Sequence, residues 1–243
     1  MNILAIDTAA DALSLALGTE EGVWSAAARA GQRHSELLMD LADSLLKNAG
    51  LDPGDLDGVA CMKGPGSFTG LRIGFSAAKG IALALDIPLV SSPTLDCMAL
   101  PCASWPDLVL PVIDGKKGRF YTALYRGNRR CSQFIDAGVT EIARLIREQV
   151  QGGEKETRAE RVIITGGDAG MIYEDLSSAC GGDLAPGVLL LASAHSGRTG
   201  WGVELLETAK KSIEDESQDE REGGPEYVRK SGAELNLKGT AGL

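Results

Sequence analysis

A strand that ends in aspartate, turns, and runs into a second strand occurs twice in this 243-residue chain, the copies 107 residues apart. Ile3-Leu4-Ala5-Ile6-Asp7-Thr8 aligns with Leu110-Pro111-Val112-Ile113-Asp114-Gly115, and Leu13-Ser14-Leu15-Ala16-Leu17 with Phe120-Tyr121-Thr122-Ala123-Leu124. Four positions are identical in that register: Ile6/Ile113, Asp7/Asp114, Ala16/Ala123 and Leu17/Leu124. The shared layout weighs more than the identities, because a repeated supersecondary pattern signals repeated structure. It confines the chain to two lobes of related topology. Val23 to Ala28 reads as a third strand. Helices at about Arg33 to Ala49 and Gly70 to Leu85 alternate with strands at Gly58 to Met62 and Pro88 to Ser91. After the second copy come a helix at about Thr140 to Val150, a polar stretch to Glu160 and a strand at Arg161 to Thr165. Such alternation implies an α/β fold with partly parallel pairing.

Between the strand Val59 to Met62 and the second helix lies Lys63-Gly64-Pro65-Gly66-Ser67-Phe68-Thr69-Gly70-Leu71-Arg72-Ile73-Gly74. Glycine tolerates positive φ and close backbone approach, so this run makes a tight strand-to-helix turn. The free N–H groups and positive dipole end of the following helix suit an anion, usually a phosphate. Gly66, Ser67 and Thr69 are therefore candidate phosphate contacts; the plainer reading is a loop with a Ser or Thr cap. The run is no Walker loop, because Thr69 stands where the lysine would fall.

Asp7 and Asp114 each end an apolar strand. In a two-lobed fold both face the cleft, where carboxylates hold a metal–phosphate or act as a base. The alternative is that each caps its own turn, a common role for Asp. Thr8, Gly166 and Gly167, at the neighbouring turns, join the candidate nucleotide contacts. A metal-binding helix needs two histidines three or four residues apart. His34 is followed at those positions by Leu37 and Leu38, and the other histidine is His195. No metal site and no catalytic residue emerge, and no Ser–His–Asp set can be argued from spacing.

The formal charge of −10 and an aromatic content of 5% argue against a groove that grips nucleic acid by itself. The five cysteines are scattered without a C-x-x-C pair, which points to a reducing cytoplasm. The first residues lack a basic segment and no uncharged apolar run approaches the length of a membrane span, so no membrane role is expected. Glu204 to Glu226 holds nine acidic and three basic residues, a helix end running into a solvated linker. The expected organisation is an N-terminal lobe over 1–105, a C-terminal lobe over 106–213 and an acidic linker and tail over 214–243.

The two helices flanking Gly58 to Gly70 carry more apolar surface than one contact face needs. The first presents Leu37, Leu38, Leu41, Ala42, Leu45, Leu46 and Ala49. The second, from Leu71 to Leu85, is apolar nearly all round, with Gly74, Ala77, Ala78 and Gly80 as small notches. Either the second helix is covered on all sides within its own chain, or the pair forms a partner surface that packs as a bundle with another subunit.

Several of these motifs together resemble the bacterial TsaB family. They are Ile3 to Thr8, His34-Ser35-Glu36-Leu37-Leu38, the run Gly64 to Gly74 with Ala78-Lys79-Gly80, Asp114 to Tyr121, and Pro225-Glu226-Tyr227-Val228-Arg229 with Ala233-Glu234. The resemblance implies the actin-like ATPase superfold, two lobes built from a duplicated ribonuclease H-like unit. It implies a non-catalytic subunit of the machinery that makes threonylcarbamoyladenosine beside the anticodon of tRNA. The partners implied are a TsaD-like catalytic subunit and a TsaE-like ATPase, with tRNA reached only through the complex and a homodimer when alone. TsaD carries a metal through a two-histidine helix motif, and Leu38 stands here at the second position. The implied partner surface comprises His34, Leu37, Leu38, Leu41, Leu45, Leu71, Ile73, Gly74, Phe75 and Ala78. No cofactor is expected on this chain alone, with ATP or ADP a candidate at the partner interface. The rival readings are a small ATP-dependent phosphotransferase of the same superfold and a protease.

Overall fold

The segment Ile3–Asp7 (β1) is buried along its whole length and becomes the centre of a sheet. The computed structural model describes residues 1–151, 161–179, 189–192, 200–215, 219 and 223–228. His195, Cys180, Arg229, Ala233 and most of the acidic segment lie outside the described residues. Ala12–Gly18 (β2) and Val23–Arg29 (β3) follow antiparallel, then His34–Asn48 (α1), Gly58–Gly64 (β4), Phe68–Leu85 (α2) and Leu89–Pro93 (β5). The first sheet has the order β3-β2-β1-β4-β5, with β1, β4 and β5 mutually parallel.

After Thr94–Ala99 (α3) the pattern restarts with Leu108–Asp114 (β6), Phe120–Thr122 (β7), a hairpin of Tyr125–Arg126 (β8) and Arg129–Arg130 (β9), and Ile135–Ala137 (β10). Val139–Gln151 (α4), Arg161–Thr165 (β11), Ala169–Ala179 (α5), Leu189–Ala192 (β12) and Gly202–Glu214 (α6) complete it. The second sheet runs β10-β7-β6-β11-β12, with the small hairpin attached to β6. The two sheets therefore repeat one strand order, and the expected pair of related lobes is borne out.

One detail of the repeat is corrected. Asp7 pairs with Ser14, whereas Asp114 pairs with Phe120, so six residues (8–13) separate the last paired positions in the first copy and only five (115–119) in the second. Leu13, Leu15 and Leu17 lie under α1 and α2, and Phe120 and Leu124 under α4 and α5, in phase with the 107-residue spacing. Leu4 and Ile6 also face α1 and α2, but Leu110 and Val112 are their counterparts under α4 and α5. The spacing thus slips by one residue in the first strand. Ile6 packs beneath the outer helices while Ile113 packs between the lobes. Because side chains alternate along a strand, one residue fewer between the paired positions exchanges the faces.

Three apolar clusters result. One fills the space between α1–α2 and the first sheet, and a second the space between α4–α5 and the other sheet. The third joins the lobes: Ile3, Ala5 and Met62 meet Leu95, Met98, Val109, Ile113, Trp201 and Leu205. In it α6, which follows the second sheet in sequence, packs on β1, β2, β4 and β5 of the first, and α3 packs on β6. By length and composition α2 is apolar enough to cross a membrane. Here its face Gly70, Leu71, Gly74, Phe75, Ala78 and Ala82 is buried within the protein.

Candidate functional site

The glycine run is docked onto the end of β1. After a cis Gly64–Pro65 bond, Ser67 caps α2, its Oγ accepting the Gly70 N–H at 3.2 Å. The Ser67 N–H donates to the carbonyl of Ala9 at 2.7 Å, and the Thr8 hydroxyl donates to the carbonyl of Gly70 at 2.7 Å. A β-carbon at Gly66 would overlap the Ala9 carbonyl, one at Gly70 the Thr8 carbonyl, and one at Gly74 the Thr8 hydroxyl. Gly70 and Gly74, four apart on α2, clear one helix face, and Gly66 clears the turn before it, so that the two segments touch. The Ser67 N–H expected to receive a phosphate is thus taken by the protein's own Ala9.

Between the lobes lies a cleft of about 690 Å³. Of the sequence-derived nucleotide contacts, Asp7, Gly66, Ser67, Asp114 and Gly167 line it. Thr8 is buried against α2, and Thr69 is exposed on that helix. Gly166 packs on the carbonyl of Val112 and on Met98. Asp11, Lys116 and Asp168 also line the cleft and were not anticipated. Asp168 directly follows Gly166-Gly167, the one signal that marked it.

Three of these carboxylates, Asp7, Asp114 and Asp168, are engaged by their own chain. Asp7 is buried; its Oδ1 accepts the Ala9 N–H at 3.0 Å and its Oδ2 the Trp201 N–H at 2.8 Å, tying β1 to the start of α6. Asp114 accepts the Lys116 N–H at 2.7 Å and pairs with Lys116 Nζ at 2.9 Å. Asp168 accepts the Asp114 N–H at 2.9 Å. Burial pushes the Asp7 carboxyl above the ordinary range against the pull of its two backbone donors. Burial also raises Asp168, and the charges of Asp114 and Asp11 add to it. Lys116 is held above its usual value by its hydrogen bond to Asp114. Among the described residues no three His, Cys, Asp or Glu side chains converge on a metal position. A bare triphosphate would therefore meet four aspartates, the partnered Lys116 and the exposed Arg29.

Replacing Asp7 by Asn tests the turn-capping role. An amide accepts at one atom only, so one backbone N–H would face an NH₂ group, at a cost of about 1–3 kcal/mol. The pH dependence has a definite sign. An acid whose folded pKa is raised opposes folding in full above that pKa, and the penalty fades as the pH falls through it toward the unfolded value. The melting temperature of the wild type is expected to gain on that of Asp7→Asn as the pH falls across the raised folded pKa of Asp7. A difference between the two proteins that is constant with pH would refute this account.

On the helix pair, His34, Leu38, Leu45, Leu71, Gly74, Phe75 and Ala78 are buried inside the chain and are not available to a partner, which corrects the sequence-derived surface. Their faces meet the sheet, and the His34 ring nitrogen Nε2 lies 3.0 Å from the Ala10 carbonyl. Leu37, Leu41 and Ile73 are half-exposed. They are joined by Ala77 and Ile81, also half-exposed, and by the exposed Ser76, Gly80 and Ala84. On α2 the positions 73, 77, 80 and 84 fall on one outward face.

Two sheets of one order, with α3 and α6 packed between them and a cleft above, define the two-lobed actin-like ATPase superfold. A solved structure of YeaZ from Pseudomonas aeruginosa shares that fold, with a TM-score of 0.70 at 23% identity over 93% of this chain and 99% of that one. TsaB of Escherichia coli, a tRNA threonylcarbamoyladenosine biosynthesis protein, is 32% identical over 199 residues, 80% of this chain and 83% of that protein. The chain belongs to the TsaB family. Its residues 26–237 match the family model described as TsaD: tRNA N6-adenosine threonylcarbamoyltransferase. TsaB of Bacillus subtilis is 38% identical over 127 residues, covering 52% of this chain and 56% of that protein.

Proposed function

We propose that this chain is a non-catalytic subunit in the formation of threonylcarbamoyladenosine in tRNA, docking a TsaD-like transferase through the outward face of α1 and α2. The observation that carries the reading is the apolar seam of Leu37, Leu41, Ile73, Ala77 and Ile81, which packs against the core and stays half-exposed among the described residues. Small residues at Ser76, Gly80 and Ala84 leave room for a second backbone. The same face serves self-association when the transferase is absent, a TsaE-like ATPase completes the assembly, and tRNA joins through the whole. A nucleotide, if it takes part, sits where subunits meet.

Catalysis by this chain is disfavoured by two arrangements. The residue one turn after His34 is the buried Leu38, so the helix offers a single imidazole that is already bonded to Ala10. Asp7 has both oxygens engaged by backbone donors, which disfavours it as the base for phosphoryl transfer. Transferase reconstituted with and without this chain is the direct test, with threonylcarbamoyladenosine in tRNA as the readout. Modification is expected to depend on the chain; equal modification in its absence would refute the subunit role. Turnover of ATP by the isolated chain would revive the phosphotransferase reading.

A further inference from the structure

The β8–β9 hairpin carries two arginines, Arg126 and Arg129, that form no ion pair among the described residues. Lys116, Lys117, Arg119, Arg126, Arg129 and Arg130 follow one another with no acidic residue between them, in a chain of net charge −10. The hairpin turns through Gly127 at φ 57° and Asn128, and its register sets Arg126 directly opposite Arg129. Directly opposed residues share a face with β-carbons about 5 Å apart, where like charges are destabilising. Among the described residues neither arginine is paired with a carboxylate, whereas Arg130 reaches Asp96 and Arg161 reaches Asp107.

The surroundings hold the patch rigidly. Tyr125 is buried and its hydroxyl donates to Asp96, which anchors the first strand of the hairpin. The Arg130 guanidinium lies 3.9 Å above the ring of Phe134, and that of Arg161 lies 4.8 Å from the ring of Trp105. Both β8 and β11 pair with Leu108 and Val109, so the four arginines gather at the end of the second sheet opposite Asp114 and the cleft. A guanidinium stacked on a ring is a pre-oriented fork, suited to phosphate oxygens and losing little freedom on binding.

We propose that this hairpin contacts the phosphate backbone of RNA, with Arg126 and Arg129 as the primary contacts; the proposal rests on the tRNA reading above. The acidic remainder of the chain repels a polyanion and so confines contact to this patch, making it one contribution within an assembly rather than an independent grip. An acidic protein surface is the rival occupant, and the experiment separates the two.

Labelled tRNA is titrated with the reconstituted assembly at several salt concentrations, comparing wild type with the double variant Arg126→Gln, Arg129→Gln. Loss of two phosphate contacts is expected to weaken binding about tenfold and to make the log–log salt dependence shallower by about 1.5. The variant Arg126→Lys, Arg129→Lys is expected to keep the wild-type slope. Removing a like-charge pair leaves the melting temperature of the chain no lower than wild type. Unchanged tRNA affinity and slope in the assembled Gln variant would overturn the proposal. Loss of assembly with tRNA affinity retained by the transferase would also overturn it, by making the hairpin a protein contact. A wild-type assembly that modifies no tRNA would instead defeat the underlying tRNA reading, a failure visible before any variant is made.

Discussion

Replacing Gly70 by alanine is expected to destabilise the folded chain by about 3 kcal/mol or more, at the upper end of what overpacking costs. The added methyl would overlap the carbonyl oxygen of Thr8, a backbone atom with no rotamer to yield. Relief would require α2 to move off β1, and that movement breaks the bond from the Thr8 hydroxyl to the Gly70 carbonyl. It also displaces Ser67, whose N–H is held by Ala9. For a chain of this size each kcal/mol corresponds to about 2–4 °C, so the melting temperature falls by about 6–12 °C. Gly80→Ala is the matched control, since a β-carbon there meets nothing within 4 Å. On an exposed helix interior the exchange gains up to about 1 kcal/mol. Equal melting temperatures for the two variants would show that the run is not held by close approach to Thr8.

That contrast explains what was legible in the sequence. Helix and strand positions follow from periodicity, which reports how each element faces a core, and lobe duplication from the repeated strand–Asp–turn–strand pattern. The strand–turn–helix shape of the glycine run follows equally, because glycine and a Ser cap act locally. What the glycines are close to is not local. Gly66, Gly70 and Gly74 meet Thr8 and Ala9, about sixty residues away, and nothing in the run distinguishes room for a phosphate from room for a neighbouring strand. The aspartates show the same limit. An Asp at a strand end caps a turn or binds a ligand with one spacing, and only the Trp201 N–H, brought in by α6, shows that Asp7 is fully engaged. The one-residue slip in the repeat was hidden because two loops of different length preserve the same residue types. On the helix pair, composition identified two apolar helices but not which face of each was already covered.

Replacing Leu41 and Ile73 together by glutamate is expected to abolish stable binding to the transferase while leaving this chain folded. Both are half-exposed, so their carboxylates remain hydrated in the free protein and the cost to stability is modest. Ala78→Glu would be uninformative, because Ala78 is fully buried and a charge there would unfold α2 from the sheet. In a seam that becomes the dry centre of an interface, each apolar anchor is worth about 2 kcal/mol, and burying two unpaired carboxylates adds to the loss. A combined penalty of about 4 kcal/mol weakens association by roughly a thousandfold. Met39→Glu is the control. Met39 is exposed on α1 two residues from both Leu37 and Leu41, which places it on the opposite side of the helix. Calorimetric titration of folded variants with the transferase should show binding lost for the double variant and retained for Met39→Glu. Wild-type affinity in the double variant would remove α1 and α2 as the docking face. If one seam serves both the transferase and self-association, the double variant is also monomeric at concentrations where the wild type pairs. A variant that turns monomeric yet still binds the transferase would divide those roles between different surfaces.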